Sequence, residues 1–151
     1  MPEGVDGLSV LPMNEPSIID RSVEKAHIWI NDVAEGLGTD DHRQAYRVLR
    51  AYLHALRDRL PVNEAAQLAA QLPELIRGIY YEGWKPAATP VRYRDLADFL
   101  DRVAAEANLE GETSSSYAVS AAAAVLCRHV SAGEIESVRA ILPEELRPIL
   151  D

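Results

Sequence analysis

Leu72-Pro73-Glu74-Leu75-Ile76-Arg77-Gly78-Ile79 and Leu142-Pro143-Glu144-Glu145-Leu146-Arg147-Pro148-Ile149 are two versions of one octapeptide, 70 residues apart. Each proline stands where a helix can start, because the first helical residue needs no amide donor. The glutamate that follows suits the positive end of a helix, and the arginine three residues on can pair with it. Carried outward without a gap, the same offset aligns Ser22–Tyr81 with Arg92–Asp151 and keeps 11 of 60 positions identical, Glu64/Glu134 among them. Apolar pairs such as Trp29/Phe99, Ile30/Leu100, Leu49/Val119, Leu60/Val130 and Leu68/Val138 extend the match. A constant offset over that length marks one helical unit used twice.

The unit reads as four helices. The first starts near Asp20 or Ser22, carries Val23, Ala26, Ile30, Val33 and Leu37 at steps of three and four, and stops at Gly36 and Gly38. Thr39 caps the second, with Asp40 and Asp41 at its positive end; Tyr46, Leu49, Leu53, Leu56 and Leu60 form its face, and Pro61 ends it. A short third helix covers Asn63–Gln71, and a fourth runs through Leu75, Ile76 and Ile79 toward Gly83. In the second copy Tyr93, Leu96, Leu100, Val103 and Ala107 repeat the first face, and Val119, Ala123, Leu126 and Val130 the second. Ser131-Ala-Gly-Glu134 has the pattern of a capping box. The Ala121–Ala124 run lets helices of this copy approach their neighbours closely. The expected class is all-α: a tandem of two similar four-helix units packed into one compact helical body. Residues 1–19 read as an extended or flexible N-terminal tail, 20–84 as repeat one, 85–91 as a linker and 92–151 as repeat two.

Composition bounds the function. With 48% apolar and 26% charged residues, a 151-residue chain can bury a real core. Cys127 is the single cysteine, so no internal disulfide forms, and a reducing, cytoplasmic setting is expected. No apolar run is long enough to cross a membrane, and the N-terminus lacks a signal-peptide pattern. The net charge of −9 disfavours nucleic acid and anionic membrane as partners.

The stretch Leu53–Pro86, whose centre is Gln67-Leu-Ala-Ala-Gln-Leu-Pro-Glu-Leu-Ile-Arg-Gly-Ile-Tyr-Tyr-Glu-Gly-Trp84, resembles the signature of the bacterial domain of unknown function 2267 family. Gly133-Glu-Ile-Glu-Ser-Val-Arg-Ala-Ile-Leu-Pro-Glu-Glu-Leu-Arg147 resembles that family's C-terminal motif. The resemblance implies a small, all-helical, two-repeat bacterial protein. It implies no activity, ligand, cofactor or catalytic residue.

The chemistry must therefore come from the residues themselves. The chain has no P-loop, Gly-x-Gly-x-x-Gly, Gly-x-Ser-x-Gly, His-Glu-x-x-His or Cys-x-x-Cys. His27, His42, His54 and His129 do not share a helix face at metal-ligand spacing and read as surface or half-buried residues. Cys127 has Arg128 and His129 beside it in sequence, but neighbours one and two residues away point elsewhere on a helix, so an inert thiol is expected. The duplicated acids Glu64/Glu134 and Glu74/Glu144 are explained by caps and first-turn positions rather than by catalysis.

Two features belong to the first copy alone. Arg43, Arg47, Arg50, His54 and Arg57 step by four, three, four and three into a basic stripe along the second helix. The second copy has Thr113, Tyr117, Ser120, Ala124 and Cys127 there, so the repeat does not require the stripe. It lies on a solvated flank or pairs with acids on neighbouring helices, or else it holds an anionic ligand or an acidic protein surface, for which the arginine fork is suited. Tyr80, Tyr81 and Trp84 then cluster before the linker, as a seal between the units, or with Tyr81 and Trp84 as an interface anchor or the wall of a small pocket. The expected function is a non-enzymatic interaction or adaptor protein without cofactor, with an unidentified protein partner or a second copy as its ligand. The alternative is a small-anion or nucleotide-sensing module. Arg43, Arg47, Arg50, His54, Arg57, Tyr81 and Trp84 are the candidate contacts.

Overall fold

The computed structural model describes residues 17–109 and 114–151, which contain helices and turns and no strand. Most of the segment read as a tail lies outside the described residues. Helix α1, Ile18–Leu37, starts inside that segment because Ser17 caps it: Asp20 N donates to Ser17 Oγ at 3.0 Å, and Ser17 N to the Asp20 carboxylate at 3.3 Å. Gly38 closes the helix with a left-handed backbone, φ 68°, a conformation that costs glycine nothing. Asn108, φ 54°, does the same for α5, Leu96–Ala107.

Helix α2, His42–Arg59, is the centre of the body. Asp41, not Thr39, caps it, its Oδ1 accepting from Arg43 N and Gln44 N while Thr39 Oγ1 accepts from Asp41 N. Helices α1 and α5 and the helices Glu74–Tyr81 and Ser115–His129 all pack on it. Helices α3, Val62–Ala69, and α4, Glu74–Tyr81, follow after Pro61 and Pro73. A 3-10 turn, Pro86–Ala88, and an extended stretch to Asp95 lead into α5. Helix α6 is Ser115–His129 and α7 is Ala132–Ile141, and the 3-10 segment Glu144–Leu150 ends the regular structure.

One core joins the parts. Leu49, Leu53 and Leu56 of α2, with Leu60 just past its end, meet Trp29 and Val33, Ile76, Phe99 and Val103, Leu126, and Ile149, all buried. Each such side chain contributes about 1.5–3 kcal/mol by leaving water. Two buried tyrosines bond to carbonyls across the core, Tyr52 Oη to Ile149 O at 2.7 Å and Tyr80 Oη to Ala65 O at 2.8 Å. Helices α1 and α6 meet closely at Gly36, where an added Cβ would stand 3.3 Å from that of Ala121.

The buried arcs differ from the expected faces at several positions. Val23, Tyr46 and Leu75 are 40%, 37% and 44% exposed, while Trp29 and Tyr52 turn inward. These helices carry two adjacent apolar stripes, and the neighbours decide which is covered. Tyr93 precedes α5 instead of lying on its face. Ser131 does cap α7, accepting from Glu134 N at 3.2 Å, but the Glu134 carboxylate turns to Gln67 Nε2 at 2.9 Å, on α3. Arg77 spends its guanidinium on the carbonyls of Ala69 and Leu72, 2.9 and 2.8 Å away, rather than on Glu74.

Candidate functional site

The stripe on α2 points at the ends of α4 and α5, where helix carbonyls lack partners and basic donors are favoured. Arg47 Nε donates to Ala107 O, the last residue of α5, at 3.1 Å. Arg50 bridges two acids: Nε donates to Glu82 Oε1 at 2.8 Å and one terminal amino group to Glu106 Oε2 at 2.9 Å. Arg57 is buried and donates from one amino group to Tyr80 O and to Glu82 O, both 2.8 Å, while its Nε meets Asp58 at 2.8 Å. Arg43 is exposed, and its guanidinium has no protein acceptor among the described residues.

His54 is 5% exposed, more deeply buried than a surface or half-buried histidine. Its Nε2 donates to Ile79 O at 2.7 Å, and its Nδ1 stands 2.7 Å from Glu106 Oε2. Both ring nitrogens thus face acceptors, and neither is free to act as a base. Burial alone would raise the Glu106 carboxyl, but the hydrogen bond from His54 and the charges of His54, Arg50 and Arg57 outweigh it and hold the group below the usual carboxylate range.

Tyr81 and Trp84 stack at 5.2 Å and lean on the core, with Tyr80 edge-on to Tyr81 at 5.4 Å. Trp84 Nε1 is buried without an acceptor among the described residues. Cys127 is half-buried and donates to Leu150 O at 3.0 Å, and burial pushes its thiol up. Arg128 and His129 turn away to Asp32, at 3.2 and 2.9 Å, and His129 stacks on Trp29 at 5.0 Å. Among the described residues no three of His, Cys, Asp and Glu converge as a metal-ligand set, and no helix is long and apolar enough to cross a membrane.

The open surface lies elsewhere. Two hollows of about 240 and 480 Å³ share Lys25, Gln71 and Pro73 and form a trough between α1 and the α3–α4 turn. Its rim carries three cations, Arg21, Lys25 and Arg77, against one acid, Glu74, and its apolar wall includes Ile18, Ile28 and Trp29. A second groove, about 440 Å³, lies beside the Leu142-Pro143 turn and is lined by Arg59, Arg92 and Arg94. Periodicity missed both, since they join segments far apart in sequence. The available signal was Arg92-Tyr93-Arg94, an alternation that puts two arginines on one side of an extended chain.

A search of curated proteins finds none that matches the chain. The family model described as "Uncharacterized conserved protein (DUF2267)" matches residues 26–149, from within α1 to the end of the body. The chain therefore belongs to the DUF2267 family.

Proposed function

We propose that the chain is a cytoplasmic, non-enzymatic interaction module, built as a tandem of two helical units, that receives an acidic, apolar segment of a partner protein in the α1 trough. The observation that carries this reading is the trough itself. Ile18 and Ile28 are 71% and 42% exposed beside Arg21 and Lys25, in a chain whose net charge is −9. A cationic rim around an apolar wall complements a segment of carboxylates and large aliphatic side chains.

Several pairs at the 70-residue offset support the tandem. Trp29/Phe99, Val33/Val103, Leu56/Leu126, Leu72/Leu142 and Ile76/Leu146 are buried in both halves. Gly38 and Asn108 take the same left-handed turn, and Cys127 donates to Leu150 O as Arg57 donates to Tyr80 O. The occupied nitrogens of His54 and the raised thiol of Cys127 favour a binding role over catalysis.

The test compares capture by tagged wild type, by Arg21→Glu/Lys25→Glu and by the control Asp101→Lys, all exposed positions. Proteins held by wild type and control but lost by the double variant, at unchanged melting temperature, support the trough. Equal capture by all three overturns it, and a dimer in light scattering that the double variant dissolves replaces the partner with a second copy.

A further inference from the structure

The second groove has a chemistry of its own. Helix α2 ends at Arg59, and the linker returns across that end: Val91 N donates to Asp58 O at 2.8 Å, and Arg59 Nε to Tyr93 O at 2.8 Å. Arg59 is 9% exposed, and its guanidinium also lies 5.8 Å from the centre of the Tyr93 ring. The contact holds the fork in place and leaves its two terminal amino groups without a protein acceptor among the described residues. Arg92 and Arg94 flank Tyr93 and line the same groove.

No carboxylate among the described residues lines this groove, whereas Arg50 and Arg57 each meet acids. Burial lowers the Arg59 pKa, Tyr93 opposes it, and Arg94 and Arg92 add repulsion. Three like charges gathered without an acid, in an acidic protein, are an electrostatic cost that a bound anion removes. Building the turn does not require them. At the 70-residue offset Arg92 and Arg94 pair with Ser22 and Glu24, and Arg59 with His129, beside the matching Leu72-Pro73 turn. The facing wall, Ile141, Leu142 and Pro143, is apolar.

We propose that this groove binds a small organic anion, its phosphate or carboxylate head held by Arg59, Arg92 and Arg94 and its apolar body lying on Ile141, Leu142 and Pro143. A fork fixed on one side by Tyr93 presents two parallel donors, the geometry that carboxylate and phosphate accept bidentately. The volume suits a small metabolite and is lower than that of a large cofactor pocket.

Titration of nitrogen-15-labelled protein with phenyl phosphate, benzoate and inorganic phosphate, at constant ionic strength, tests the site. Phenyl phosphate or benzoate should give saturable shifts at the Arg59 side chain and the Arg92 and Arg94 amides, and whichever binds better names the head group. Inorganic phosphate should bind more weakly than phenyl phosphate; equal affinity overturns the role of the apolar wall. Arg92→Gln/Arg94→Gln, at two exposed positions, should weaken binding at least about tenfold without changing the melting temperature. No saturable shift at millimolar probe, or equal binding by wild type and double variant, overturns the proposal.

Discussion

Arg57 decides whether the basic stripe on α2 is a ligand site or a fastening. The perturbation is Arg57→Met, which keeps an unbranched apolar stem about as far as Nε and removes the fork. Arg57 is 4% exposed and makes 2.8 Å bonds to Tyr80 O, Glu82 O and Asp58. Hydrogen bonds from a charged donor contribute roughly 1.5–3 kcal/mol each, and a carbonyl left without its donor costs about 1–3 kcal/mol. Against that, methionine is cheaper to bury than a guanidinium. Tyr80 O sits deep in the body and Glu82 O nearer solvent, where water can replace the lost donor. The net expectation is a loss of about 2–4 kcal/mol. At roughly 2–4 °C per kcal/mol for a chain of this size, that is about 4–16 °C in melting temperature. Urea titration and thermal melting followed by circular dichroism measure both. A loss under about 0.5 kcal/mol, or a gain, would refute the fastening role, because removing a ligand-binding arginine from a folded protein relieves strain rather than creating it. Arg43→Ala is the companion measurement, and melting should be unchanged.

Three further outcomes are expected. Glu106 has a folded pKa below its unfolded one, so its contribution is present above roughly pH 4.3 and is lost as pH falls through the lower folded value. Glu106→Gln should therefore lower stability at neutral pH and flatten the acid limb of a stability-against-pH curve. Gly36→Leu must force α1 from α6, where Ala121 leaves only 3.3 Å for a Cβ, and should cost about 1–3 kcal/mol in urea melts. Asn108→Val should cost about 1–2 kcal/mol at the left-handed closure of α5, and Asn108→Gly should cost nothing or add slightly, by the same measurement.

Much of the helical plan was legible because apolar spacing is a local property. Leu49, Leu53, Leu56 and Leu60 read as one face and are one buried face, and Pro61 and Pro73 mark real helix boundaries. Tyr46 and Leu75 were misplaced because periodicity names an apolar stripe without saying which neighbour covers it. The stripe of arginines was visible, yet its use was not: Arg50 and His54 meet at Glu106, more than fifty residues away. Nor could spacing bring Arg59 to Arg92 and Arg94, which share a groove only because the linker folds back over the end of α2.

The sequence by itself determined what acts within a few residues, the helical class and the proline breaks, and it carries 11 of 60 identical positions at an offset of 70. The physical reason is that hydrogen bonding and side-chain direction along a helix repeat every three or four residues. The tertiary structure alone decided the arcs that are buried, the cations that are neutralised and the cations that are left facing an open groove. Those depend on distances between chain segments, which the order of residues along the chain does not encode locally.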